Sequence, residues 1–146
     1  MYYSRMNSSI AASQLSFFKL LKAAHALEDR LENSLAEVGL SSAKFGALNQ
    51  LVQAKEPLSL SDLAGRVACV RSNITQLVDR LEADGLVRRI SDPDDRRSVR
   101  AEVTPLGRER HGAGAARVEA IQKLFAETIG DADKDALDRA LSALRP

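Results

Sequence analysis

Residues 58–107 read LSLSDLAGRVACVRSNITQLVDRLEADGLVRRISDPDDRRSVRAEVTPLG, and they confine the chain to a narrow set of folds. Two stretches with helical apolar spacing stand a few residues apart, and two β-prone stretches follow them around a polar loop flanked by arginines. That succession specifies a winged helix-turn-helix, in which one helix is shaped to enter a DNA major groove and a β-loop lies beside it.

The boundaries of these elements follow from local chemistry. Ser59 followed by Asp62 has capping-box spacing, a hydroxyl to accept backbone N–H groups and a carboxylate at the positive end of a helix dipole. The short helix that starts there carries Leu63, Ala64 and Val67, and Ala68 and Cys69 make the turn. A second helix is expected from about Arg71 to Ala83, stopped by Gly85.

In that second helix Ile74, Leu77, Val78 and Leu81 fall at i, i+3, i+4 and i+7 and share one buried face. Ser72, Gln76 and Asp79 point the opposite way, with Asn73 and Thr75 on the flanks. Short hydrogen-bonding side chains at the front of an outward face suit base-edge reading. Asn and Gln pair bidentately with adenine, Ser and Thr serve base or phosphate, and Arg71 takes guanine or phosphate. Asp79, Glu82 and Asp84 repel phosphate, so the rear of the helix is expected to tilt out of a groove. A polar face of an ordinary surface helix gives the same pattern.

Leu86 to Ile90 and Val99 to Val103 are expected strands, the second with Val99, Ala101 and Val103 on one face and Arg100 and Glu102 on the other. The intervening SDPDDRR holds a proline and three aspartates, which are turn formers. Arg96 and Arg97 on this hairpin are placed for a minor groove, where negative potential concentrates, and Asp95 is expected to pair with Arg97 and fix its direction. Thr104 and Pro105 then supply a capping hydroxyl and a first-turn proline for a further helix.

Outside this segment the pattern is helical. A first long helix is expected from about residue 13 to 38, striped by Ala24, Leu27, Leu31, Leu35 and Val38 and ended by Gly39. Its front bears Leu15, Phe17, Phe18, Leu20 and Leu21 on more than one face, which calls for two partners; in a small protein the second is often another subunit, though an internal core helix gives the same stripe. Another helix begins after Ser41 with Phe45, Leu48, Leu51 and Val52 and ends near Lys55 to Pro57. After Pro105, the glycines 107, 112 and 114 either bend the helix or allow close packing. Val118, Ile121, Leu124, Phe125 and Ile129 then restore a stripe, and Asp131 caps a last helix with Leu137, Leu141 and Leu144.

The fold class is therefore mainly α with a small β-wing: a winged helix-turn-helix lobe at 39–104 between helical layers at 1–38 and 105–146. With 146 residues there is room for one such lobe and a helical layer, hardly for two large domains. The formal net charge of +1 lacks the overall basicity usual in nucleic-acid binding, but its distribution is uneven. No lysine stands between Lys55 and Lys123, while arginines occupy 66, 71, 80, 88, 89, 96, 97, 100, 108, 110 and 117. Arginine's fork of donors suits phosphate and guanine, although the interleaved acidic residues fit an ion-paired surface equally well.

No apolar run is long enough to span a membrane, and the opening MYYSRMNSSIAASQ lacks the apolar stretch of a secretory signal, so a cytoplasmic protein is expected. Enzyme classes fare poorly. The chain holds no glycine-rich phosphate loop before a helix and no Cys/His cluster at metal-ligand spacing, and no cofactor or metal is expected. His25 and His111 are far apart in sequence, and convergence in a dimer layer is the one route to a metal site. The lone Cys69 supports no internal disulfide framework. It reads either as a small buried hydrophobe or as an oxidisable thiol near a helix N-terminus, with Arg66 and Arg71 close by.

LSDLAGRV, NITQLVDRLEADGLVRR and above all DRRSVRAEVTPLG resemble the MarR (multiple antibiotic resistance regulator) family of bacterial transcription factors. The wing signature of that family is matched by Asp95, Arg97, Val103 and Thr104. The resemblance implies an obligate homodimer, with N- and C-terminal helices in the dimer layer and two winged lobes on a pseudo-palindromic operator of double-stranded DNA. It further implies a repressor released by a small-molecule effector held between the dimer layer and the lobe, or by oxidation. Val70 departs from the pattern, standing where the family usually has a capping serine or threonine. Redox sensing through Cys69 and a helical interaction module that ignores DNA remain the alternatives.

Overall fold

A computed structural model describes residues 2–67 and 71–145, with the side chains of residues 2–9, 71 and 72 outside that description. The elements run α1 (Tyr2–Ala36), α2 (Ser42–Ala54), β1 (Leu58–Ser59), α3 (Leu60–Arg66), α4 (Arg71–Ala83), β2 (Val87–Ser91), β3 (Val99–Val103) and α5 (Pro105–Ala143). Helix α1 starts well before residue 13, because no proline or glycine interrupts the chain from Tyr2 onward, and it ends ahead of Gly39 at φ +73°.

The helix starts carry the expected caps. Ser41, Ser59 and Thr104 each accept the backbone N–H three residues on, from Lys44, Asp62 and Gly107. These bonds satisfy donors that the first helical turn cannot pair internally. Gly85, at φ +74°, turns the chain out of α4 toward the hairpin.

The sheet has the order β1-β3-β2 and is antiparallel throughout, with Val87 opposite Val103 and Ser91 opposite Val99. Strand β1 is a two-residue edge pairing Leu58 with Ala101 and Ser59 with Arg100, too short to leave a period in the sequence. The alternation of β3 holds at Ala101 and Val103, which are buried, but Val99 is exposed because the hairpin has run past the core by then. That core is one cluster of α2, α3, α4 and sheet residues, closed by Leu35 from the end of α1.

Helix α5 does not break at the early glycines. Its non-helical residue is Gly130, at φ 72° and ψ 163°, just before Asp131. Gly107 and Gly114 are buried instead. A Cβ on Gly107 would run into the Leu86 carbonyl oxygen, and one on Gly114 would meet Leu40 Cδ1 and Phe45 Cδ2 at 2.8 Å. Close packing, not bending, accounts for both.

Candidate nucleic-acid interface

Helix α4 buries Ile74, Val78 and Leu81 completely and Leu77 in part, and this fixes which face looks outward. Asn73, Thr75 and Gln76 are exposed on that outward side. The backbone of Arg71 and Ser72 forms the first turn of α4, while their side chains, and Cys69 and Val70, lie outside the described residues.

The acidic rear of α4 is compensated in a way the sequence did not reveal. Arg89 of β2 donates to Asp79 and, at 2.9 Å, to Glu82, and Glu82 also accepts the Arg89 backbone N–H at 2.9 Å. Burial works against the Arg89 charge, yet the two carboxylates more than offset it and its pKa is raised. Asp84 pairs with Lys44 of α2 at 2.6 Å. The back of the helix is thus held by ion pairs to the hairpin on one side and to α2 on the other.

Four of the arginines that the sequence offered are committed in this manner. Besides Arg89, Arg88 pairs with Glu102, Arg100 with Asp92 and Arg117 with Glu37. Arg88 meets Glu102 across the β2–β3 ladder, Arg89 reaches α4 and Arg117 reaches the end of α1, and strand register and helix packing are not written in chain spacing, which is why sequence alone could not sort these from Arg96 and Arg97. Those two are exposed at the hairpin tip. The Asp95 carboxylate accepts the backbone N–H of Arg97 at 3.0 Å, so its contact with the residue it was expected to pair with is through the main chain. An open groove of about 400 Å³ lies between Ser59–Ser61 at the start of α3 and Asp95, Arg97, Ser98 and Val99 of the hairpin.

The histidines are placed separately. His25 is exposed on α1, 3.6 Å from Glu28, whereas His111 of α5 stacks on Phe45 and its Nε2 lies 3.0 Å from Asn49 Oδ1. Burial pushes the His111 pKa down. Among the described residues no three His, Cys, Asp or Glu side chains gather as a metal site would require, and no helix is long and apolar enough to cross a membrane.

Two short helices at the edge of a three-stranded sheet, the second leading into a projecting hairpin, define a winged helix-turn-helix protein. The MarR family model matches residues 40–99, and the chain belongs to the MarR family. It is 35% identical to the HTH-type transcriptional repressor YetL of Bacillus subtilis over 101 residues, 68% of this chain and 60% of YetL. It is 30% identical to the transcriptional activatory protein BadR of Rhodopseudomonas palustris over 117 residues, 79% of this chain and 66% of BadR. The chain spans 51% to 66% of the length of the first three curated relatives it matches. Its fold superposes on the transcriptional repressor CouR bound to a 23-mer DNA duplex with a TM-score of 0.78 at 27% identity, covering 91% of this chain and 94% of CouR. CouR from Rhodococcus jostii RHA1 has also been solved bound to p-coumaroyl-CoA, and matches with a TM-score of 0.71 at 28% identity over 87% of this chain and 89% of that one.

Proposed function

We propose that this protein is a cytoplasmic, homodimeric transcriptional regulator that binds a pseudo-palindromic operator as a repressor and is released by a small-molecule effector. The observation that carries the reading is the pairing of an exposed polar front on α4 with an arginine-tipped hairpin, while the acidic rear of α4 is tied to Arg89 and Lys44. In this reading Arg71, Ser72, Asn73, Thr75 and Gln76 face the major groove, Arg96 and Arg97 meet the minor groove, and Asp95 sets the turn that carries them. The 23-mer duplex bound to CouR supports double-stranded DNA as the partner.

Dimerisation is supported by the large apolar side chains that a single copy leaves open, Leu15, Phe17 and Phe18 on α1 and Leu124, Phe125 and Leu144 toward the end of the chain. Residues 1–38 and 105–146 then form the dimer layer, and 39–104 the DNA-binding lobe. The acyl-CoA ligand of CouR supports an effector. In this chain an open groove of about 430 Å³ between Glu37–Gly39 and Glu109, Arg110 and Ala113, where α1 meets α5, offers room for one.

Titration of double-stranded DNA at several salt concentrations tests the division of labour. Arg97→Ala is expected to weaken binding to every sequence and to lower the salt dependence by about one ion per subunit, whereas Gln76→Ala mainly relaxes base preference. Unchanged affinity and slope in Arg97→Ala would remove the hairpin from the interface.

A further inference from the structure

Among the described residues Asp92 is the one buried charged side chain, 8% exposed, and it stands where β2 gives way to the hairpin loop. One carboxylate oxygen accepts the backbone N–H of Asp94 at 2.9 Å, and the other accepts Nε of Arg100 at 2.9 Å. Arg100 in turn donates to the Pro57 carbonyl at 3.4 Å, on the connection between α2 and β1. The loop itself closes on backbone bonds, Asp92 N–H to Ser98 O and Ser98 N–H to Asp95 O, each at 3.0 Å, and on the Asp95 carboxylate under Arg97. The Asp94 N–H and the Arg100 guanidinium hold the Asp92 carboxyl below its ordinary range, so it is ionised at neutral pH.

We propose that Asp92 is a positioning residue for DNA binding: through the Asp94 turn on one side and Arg100 and Pro57 on the other, it sets the hairpin at the angle that presents Arg96 and Arg97. The inference rests on the reading of the hairpin as a DNA contact. Asp92 itself is covered and touches no phosphate. The linkage through Arg100 and Pro57 ties the seven-residue loop, 92–98, to the lobe beyond its own strands, and it removes beforehand freedom that each arginine would lose on binding. Simple electrostatics predicts the opposite sign, because removing a negative charge near DNA strengthens binding.

The test uses the full chain and a duplex recovered by the wild-type protein from a random pool. Binding is titrated against salt for wild type, Asp92→Ala, Arg100→Gln, Arg97→Ala and the double variant Asp92→Ala/Arg97→Ala, with circular dichroism to establish that each is folded. Asp92→Ala is expected to weaken binding and to lower the salt slope by about one ion per subunit, as Arg97→Ala does, and to add nothing in the Arg97→Ala background. Arg100→Gln, which leaves the Asp94 turn intact, is expected to shift binding the same way by less, and it carries the test should Asp92→Ala fail to fold. Binding by Asp92→Ala or Arg100→Gln at or above wild-type strength, beside a weakened Arg97→Ala, overturns this inference alone. Wild type that ignores DNA, or Arg97→Ala with an unchanged slope, overturns the hairpin contact and this inference together.

Discussion

In the winged lobe Leu48, Leu63, Ile74, Leu81 and Leu86 are fully buried within one copy of the chain, whereas on α1 Phe17 and Phe18 are 58% and 64% exposed, and Leu144 near the end of α5 is 65% exposed. The lobe is short, crossed by sheet and helix contacts, and closes its own core. The long helices present large apolar side chains outward, where each square ångström left in water forgoes roughly 25 cal/mol. One region closes its core within a single copy; the other leaves apolar side chains open, and under the proposed dimerisation its stability is expected to depend on concentration.

The strongest way to break this contrast is to truncate one apolar side chain in each region. Leu48→Ala should cost about 2–5 kcal/mol in urea unfolding at any protein concentration, since the cavity forms inside the lobe. Phe18→Ala should leave the lobe within about 0.5 kcal/mol but weaken self-association, seen in sedimentation and in a shallower dependence of the midpoint on concentration. An equal, concentration-independent loss in the two variants would erase the difference between the regions.

Two glycines of α5 sharpen it further. Alanine is the better helix former by up to about 1 kcal/mol, so helix propensity predicts a gain at both Gly107 and Gly112. At Gly107 the new Cβ collides with the Leu86 carbonyl and Val103 Cγ2, and Gly107→Ala should lose about 1–3 kcal/mol net. At Gly112 a Cβ meets nothing within 4 Å of its own chain, and Gly112→Ala should gain up to about 1 kcal/mol. A loss at Gly112 in thermal unfolding would show that a second copy packs there.

The smallest expected effect concerns acid. Burial lowers the His111 pKa below 6.5, so the unfolded chain takes up the proton more readily than the folded one. The stability this group contributes is complete above the unfolded value and falls as pH drops below it toward the folded value. Unfolding midpoints measured from pH 7 to 5 should decline, and His111→Gln should flatten that decline. Identical profiles for wild type and His111→Gln would move the acid sensitivity elsewhere.

Local chemistry settled much in advance. The caps at Ser41, Ser59 and Thr104, the stop at Gly85 and the buried stripe of α4 all follow from contacts within four residues, which a linear pattern records. The same locality explains the misses. The early start of α1 was hidden because Tyr2–Ala12 offers little apolar periodicity, though nothing in it stops a helix. The role of Gly107 depends on Leu86, twenty-one residues away, and the two-residue β1 exists only because β3 lies beside it.

What the sequence determined by itself is the order of elements and the chemical character of each exposed face, since both are written in spacing and side-chain type. Only the tertiary structure decided which charges remain to act on a partner. Arg88, Arg89 and Arg100 look no different in the sequence from Arg96 and Arg97, yet the strand register and the approach of α4 bring Glu102, Asp79, Glu82 and Asp92 against the first three. The physical reason is that an ion pair depends on distance in space, which pairing across a sheet sets and chain spacing does not.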